Sequence, residues 1–246
     1  MSYKFSVDPD IRKASTLPSS FYKDQKVFDC IKEKIFLKSW QFIGDEHLVK
    51  LPKYVHPFVL LDGYLTEPLL LTRDEEGEIH CMSNVCTHRA NIVVLGSGKL
   101  KKLSCMYHGR RFDLKGTFEY MPEFKEAEDF PRECDHLKSF SLERWGPLLF
   151  TGLIPDFNFS QVIKKMKERV GFLPIEEFRY DADLSKDYLV QAHWALYCDN
   201  YLEGFHVPFV HEDLNKVLDY GSYTTEIFEY CNLQIGYTDD ATETFN

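Results

Sequence analysis

The rhythm of apolar and polar positions changes several times along this chain. Residues 1 to 20 show no periodicity and contain Pro9 and Pro18, as expected of an extended arm. In SSFYKDQKVFDCIKEKIFLKSW, Phe28, Ile31, Ile35 and Phe36 recur at helical spacing behind a serine, so a serine-capped helix is expected. From about Trp40 to Leu153, short β-type runs are punctuated by glycines, and EEGE and LKGT have the composition of hairpin turns. Helical rhythm returns in DFNFSQVIKKMKERVGFL, where Val162, Met166 and Val170 share a face. A strand-like stretch around KDYLVQAHWALY, a helix over 199–211 and an alternating end from Ser222 complete the pattern. An arm and helix (1–39), an all-β unit (40–155) and a mixed region (156–246) together predict an α+β chain.

Composition narrows the class of protein. Of 246 residues, 44% are hydrophobic, enough for a real core, and the formal charge is −10. Acids spread over such a surface repel phosphate backbones, so nucleic acid is not an expected partner. No signal-peptide core and no membrane-length apolar run occur, which predicts a soluble cytoplasmic protein without a membrane partner. Seven cysteines, an odd number without an export signal, point to buried thiols and metal ligands rather than disulfides.

Two of those cysteines stand in short mixed loops. CTHR supplies Cys86 and His88, and CMYHG supplies Cys105 and His108, with sixteen residues between the loops. Two thiolates and two imidazoles suit a tetrahedral zinc. They equally suit a Rieske [2Fe–2S] cluster, in which two cysteines hold one iron and two histidines the other. Zinc fingers usually segregate cysteine and histidine, whereas both loops here are mixed and lie among glycine-rich β-type runs. Together with HGRRFDLKG and RWGPLLF, the pattern resembles the Rieske iron–sulfur proteins. Tyr107 is a candidate donor to a cluster sulfur or simply a packed aromatic; Arg89 is a candidate shield or ion-pair partner. Ala90 and Arg110 depart from the commonest pattern, which has glycine and an aromatic residue there. Cys30, Cys134, Cys198 and Cys231 read as small buried hydrophobes, and alternation points Cys81 and His80 to opposite faces. His47, His56, His136 and His193 have no partner motif.

A second constellation lies in CDNYLEGFHVPFVHEDL. On a regular helix, Glu203 and His206 fall within roughly 40° of Asp199, but His211 lies roughly 140° from His206. A bend or widening at Pro208 is one remedy. Alone, the two histidines are as well explained as core residues, and Asp199 as a helix N-cap.

Taken with the upstream loops, the order Cys-x-His, Cys-x-x-His, D-N-x-x-E-x-x-H-x4-H resembles the catalytic subunit of Rieske non-haem iron oxygenases. That family includes ring-hydroxylating dioxygenases and monooxygenases of choline-like quaternary amines. The resemblance implies a Rieske domain followed by the first part of a helix-grip catalytic domain. It makes His206 and His211 two ligands of a mononuclear Fe(II) in a 2-His-1-carboxylate triad. Asp199 becomes the acid bridging His108 of one protomer to His206 of the next, and Glu203 a hydrogen-bond acceptor behind the ligands. It further implies an NAD(P)H-dependent reductase, with or without a ferredoxin, a homotrimer, O2, and a small organic substrate, with aromatic hydroxylation slightly ahead of quaternary-amine oxidation. The triad's carboxylate is expected well over a hundred residues beyond His211, whereas only 35 follow here, so a truncated subunit is expected. Asp239, Asp240 and Glu243 are the remaining acids. The alternative is a Rieske electron-transfer protein without oxygenase activity.

Overall fold

A computed structural model describes residues 4–239. The chain forms two compact units, one of Lys32–Phe157 with Ile175–Tyr180, the other of Met1–Ile31, Asn158–Pro174 and Asp181–Asn246. It opens with α1 (Ser19–Lys23) and α2 (Gln25–Lys34). The expected single helix is broken because Asp24 is extended and its carboxylate accepts from the Lys26 N–H at 2.9 Å, capping α2. Pro18, not a serine, precedes α1, and Ile35 lies beyond α2 and is exposed.

The first unit is β throughout. Strands β1 (Gln41–Asp45), β2 (Tyr54–Leu60), β3 (Glu67–Arg73), β4 (Ile79–Ser83) and β5 (Gly98–Lys99) come first. A small sheet of β6 (Leu103–Ser104), β7 (Arg111–Phe112) and β8 (Phe118–Tyr120) follows, then β9 (Ser139–Trp145) and β10 (Leu148–Gly152). The large antiparallel sheet runs β1-β10-β9-β4-β3-β2-β5. Strand β3 reads EPLLLTR because both its faces are covered. Leu69 and Leu71 join Val49, Leu60, Cys81 and Leu149 in one core. Leu70 turns the other way, into a second core with Val55, Met82, Leu103 and Phe112 that also contains Cys86 and Cys105. Each fully buried leucine contributes roughly 1.5–3 kcal/mol, so the second core anchors the mixed loops firmly. Both expected turns are present. Asp74 N donates to Glu78 O at 2.9 Å with Gly77 at φ 94°, and Asp113 N donates to Thr117 O at 2.9 Å with Gly116 at φ 86°.

The second unit contains α3 (Phe159–Val170), α4 (Trp194–Tyr201), α5 (Val207–Val210), α6 (Glu212–Val217) and the antiparallel pair β11 (Asp219–Ile227) and β12 (Asn232–Tyr237). Phe159 and Ile163 are the buried residues of α3, flanked by half-buried Val162, Met166 and Val170. The strand expected around KDYLVQAHWALY is absent. Residues 186–192 are irregular with Tyr188 and Leu189 exposed, and α4 begins after His193, whose Nδ1 accepts from Ala195 N at 3.2 Å. The alternating end from Ser222 falls in β11 and β12, which pair as an antiparallel hairpin. No helix among the described residues is long and apolar enough to cross a membrane.

Candidate metal centres

The two mixed loops share one construction. In the first, Cys86 N donates to Asn91 O at 2.8 Å and Ala90 N to Cys86 O at 2.9 Å; in the second, Cys105 N donates to Arg110 O at 2.9 Å and Gly109 N to Cys105 O at 3.0 Å. Each loop therefore reverses on a residue with positive φ four places after its cysteine, Ala90 at 54° and Gly109 at 74°. Asn84 pins the first loop: its side chain donates to Val94 O and accepts from Val94 N, at 2.8 and 2.9 Å, and its carbonyl accepts from Val93 N at 2.9 Å.

This construction brings like with like. The Cys86 and Cys105 thiols lie close enough to influence each other's ionisation. The His88 and His108 rings meet edge-on with centroids 4.8 Å apart. Burial pushes the Cys86 thiol up, against the opposing pull of the His88 N–H and the Arg110 charge. Burial acts to raise Cys105 too, but donors from Tyr107 N, Cys86, Asn91 and His108 N outweigh it and hold that thiol low. Asn91 Nδ2 approaches Cys105 Sγ at 3.6 Å. Burial and then the charges of His108, Arg110 and Arg89 lower His88, keeping it neutral and able to ligate. The Tyr107 and His108 rings lie 3.8 Å apart, tilted by 35°, and Arg89 is exposed.

A single zinc needs four donors converging on one point at 2.0–2.3 Å. A thiol pair beside an imidazole pair instead has the two-plus-two donor set of a Rieske cluster.

The second site departs from the expected helix over 199–211. Asp199 lies inside α4 and is not an N-cap; the chain leaves the helix after Tyr201, and Gly204 is buried against Tyr223. A Cβ at position 204 would sit 3.0 Å from the Tyr223 ring. Tyr223 OH in turn donates to Gln234, which donates to Tyr201 O, fastening the end of α4 to the hairpin. His206 and His211 then flank α5 as its N-cap and C-cap, with rings 5.2 Å apart. Pro208 sits in the first turn of α5, where its missing N–H costs nothing. A one-turn helix between two breaks, not a widened one, brings the pair together.

Glu203 Oε1 lies 2.5 Å from His206 Nδ1. Burial acts to raise this carboxyl, but His206 and the Phe205 N–H hold it below its ordinary value. Glu203 is thus an ionised acceptor, which makes Nδ1 the protonated nitrogen of His206 and leaves Nε2 free to ligate. Asp199 accepts from the Tyr22 hydroxyl at 2.5 Å. Among the described residues no third His, Cys, Asp or Glu completes a group with His206 and His211. Asp239 lies in a bend, and Asp240 and Glu243 fall outside the described residues.

Several sequence readings change. Cys30 and Cys231 are half-buried and Cys134 and Cys198 exposed, so none is a core residue; their spacing carried no burial signal. Cys81 is the buried structural thiol, pushed up to about 11 by burial. The unassigned histidines have local partners: His47 Asp45, His56 Ser97, His136 the Phe118 N–H and His193 the Ala195 N–H. Asn84, Asn91, Thr87 and Asp135 were not singled out from sequence, because their partners are set by the folded loops.

The Rieske [2Fe-2S] domain family matches residues 39–140. Over 240 residues the chain is 29% identical to choline monooxygenase of Arabidopsis thaliana and 30% to that of Beta vulgaris, covering 92% of this chain in both and 56% and 52% of those proteins. Identity to the carnitine monooxygenase oxygenase subunit of Acinetobacter baumannii is 25% over 256 residues, covering 98% of this chain and 64% of that protein. The chain thus spans between half and two thirds of the length of these relatives. Its fold matches the quaternary ammonium Rieske monooxygenase CntA in complex with L-carnitine, with a TM-score of 0.74 and 23% identity over 91% of this chain and 63% of that one. It also matches naphthalene 1,2-dioxygenase from Rhodococcus sp., with a TM-score of 0.63 and 21% identity over 82% of this chain and 47% of that one. The chain carries a Rieske [2Fe–2S] domain and is related to the catalytic subunits of Rieske non-haem iron oxygenases.

Proposed function

We propose that this chain is an oxygenase subunit acting on a quaternary ammonium compound. In this reading Cys86, His88, Cys105 and His108 hold the [2Fe–2S] cluster, and His206 and His211 two sites on a mononuclear Fe(II). The supporting observation is that similarity to choline monooxygenases runs through both constellations, over 92% of the chain. The groups supply one-electron transfer and oxygen activation when bound. The chain's own residues do the positioning. The second core fixes the cysteines, Glu203 sets the His206 tautomer, and Tyr22 orients the Asp199 carboxylate, which in a homotrimer would accept from histidines of two protomers. An NAD(P)H-dependent reductase is the proposed electron donor, and a reducing compartment such as the cytoplasm suits seven free cysteines.

The choline- and carnitine-acting relatives move the substrate proposal from an aromatic ring to a quaternary amine. The test is anaerobic iron–sulfide reconstitution followed by EPR after dithionite, iron counting, and incubation with choline, carnitine and naphthalene under O2. A Rieske signal with about three irons per chain and oxidation of a quaternary amine is expected. A colourless, EPR-silent product would overturn the reading. The electron-transfer alternative predicts about two irons and no product.

A further inference from the structure

Arg110 departs from the aromatic residue expected after the second loop, and the structure shows what it does there. Its side chain is 3% exposed. Nη1 donates to Thr87 Oγ1 at 2.6 Å, and Nη2 meets Asp135 Oδ1 at 3.2 Å. The guanidinium carbon lies 5.3 and 5.5 Å from the Phe118 and Phe130 ring centroids. Thr87, between Cys86 and His88, donates its own hydroxyl to Asp135 O at 2.8 Å. The Arg110 carbonyl meanwhile closes the second loop on Cys105 N. One residue therefore ties both ligand loops to the turn at Glu133–Asp135.

Space-filling alone does not account for it. An aromatic side chain would occupy the site without desolvating a charge, and a buried ion pair is poor evidence for stability. Arg110 Nε is moreover a buried donor with no acceptor among the described residues, an expense that calls for a reason. Its neighbours supply one, because it braces both loops that carry the thiol and imidazole pairs, through Thr87 in the first and its own carbonyl in the second.

We propose that Arg110 is a positioning residue that sets the reduction potential of the [2Fe–2S] cluster held by these loops. Uptake of one electron, from dithionite or a protein donor, adds one negative charge beside a buried cation. The cation favours that state and raises the potential, while Asp135 moderates it. This inference rests on the cluster reading above.

The test is an EPR-monitored redox titration of the reconstituted full chain and three variants, with iron content and circular dichroism as controls. Arg110→Met should shift the midpoint to a more negative potential, since it removes the cation and leaves Asp135 behind. Asp135→Asn, nearly isosteric, should shift it the opposite way. Arg110→Lys should keep the midpoint nearer the wild type than Arg110→Met does, even where the loss of the planar two-point contact lowers thermal stability. Opposite shifts for the two neutralising variants support the proposal. Folded, cluster-loaded variants with unchanged midpoints, or with shifts of the same sign, overturn it. Should Arg110→Met fail to retain the cluster, Asp135→Asn decides alone, a rise supporting the proposal and no change or a fall overturning it. A wild-type chain that holds no cluster overturns the underlying reading instead.

Discussion

At the scale of single residues, Ala90 holds a left-handed φ of 54° at the place where the second loop has Gly109 at 74°. An L-residue there carries about 1–2 kcal/mol of strain, partly offset by the unfolded-state entropy a glycine would add. Ala90→Gly should therefore stabilise the chain by up to about 1 kcal/mol, and Gly109→Ala should destabilise it by about 1–2 kcal/mol, read as opposite shifts in Tm. The second change also brings a Cβ to 3.3 Å from Pro122. A further residue-level expectation concerns Glu203. Removing its charge with Glu203→Gln should weaken Fe(II) binding about 10–100-fold, by titration, and leave the cluster's EPR signal untouched. His206 and His211 stood out in the sequence only beside the upstream loops and the family resemblance, whereas the mixed spacing of Cys86, His88, Cys105 and His108 made those four proposed ligands legible. Asn84, Asn91 and Asp135 were not, because Asn84 reaches ten residues to Val94, Asn91 fourteen to Cys105 and Asp135 twenty-five to Arg110.

At the scale of elements, the β unit was legible almost throughout, since LLLT in β3 and the turns EEGE and LKGT are local signals that the folded sheet also satisfies. Residues 199–211 were not. Periodicity gave one helix, but Gly204 packs on Tyr223, and the Tyr223–Gln234–Tyr201 chain stops α4 early. That contact comes from a hairpin some twenty residues later, which no local pattern contains. It also makes a separable test. Gly204→Val forces a Cβ against the Tyr223 ring and should cost about 1–3 kcal/mol. Because the strain falls in the second unit, iron content should drop from about three to about two per chain while the cluster's visible absorption is retained. Loss of both signals together would show that the His pair and the loops do not load independently.

At the scale of the whole molecule, acid stability turns on Asp74. This carboxylate is 2% exposed at the β3–β4 turn, yet its pKa is held down to about 2. Burial acts to raise it, but His80 at 2.8 Å, the Glu78 N–H at 2.8 Å and the Lys115 charge at 3.5 Å together outweigh burial. Lys115 lies in the LKGT turn between β7 and β8, so Asp74 joins the large sheet to the small sheet that carries the second loop. The folded pKa lies below the unfolded value near 3.8. The stabilisation is therefore fully present above about pH 4 and disappears as pH falls through about 2. Tm measured on cluster-free protein, where thiolate protonation cannot release metal and confuse the reading, should fall through that window. Asp74→Asn keeps the shape and removes the ionisation, so its Tm should start lower and show a flatter slope between pH 4 and pH 2. An unchanged slope would assign the acid sensitivity to other carboxylates of this −10 chain, such as those of the exposed ion pairs.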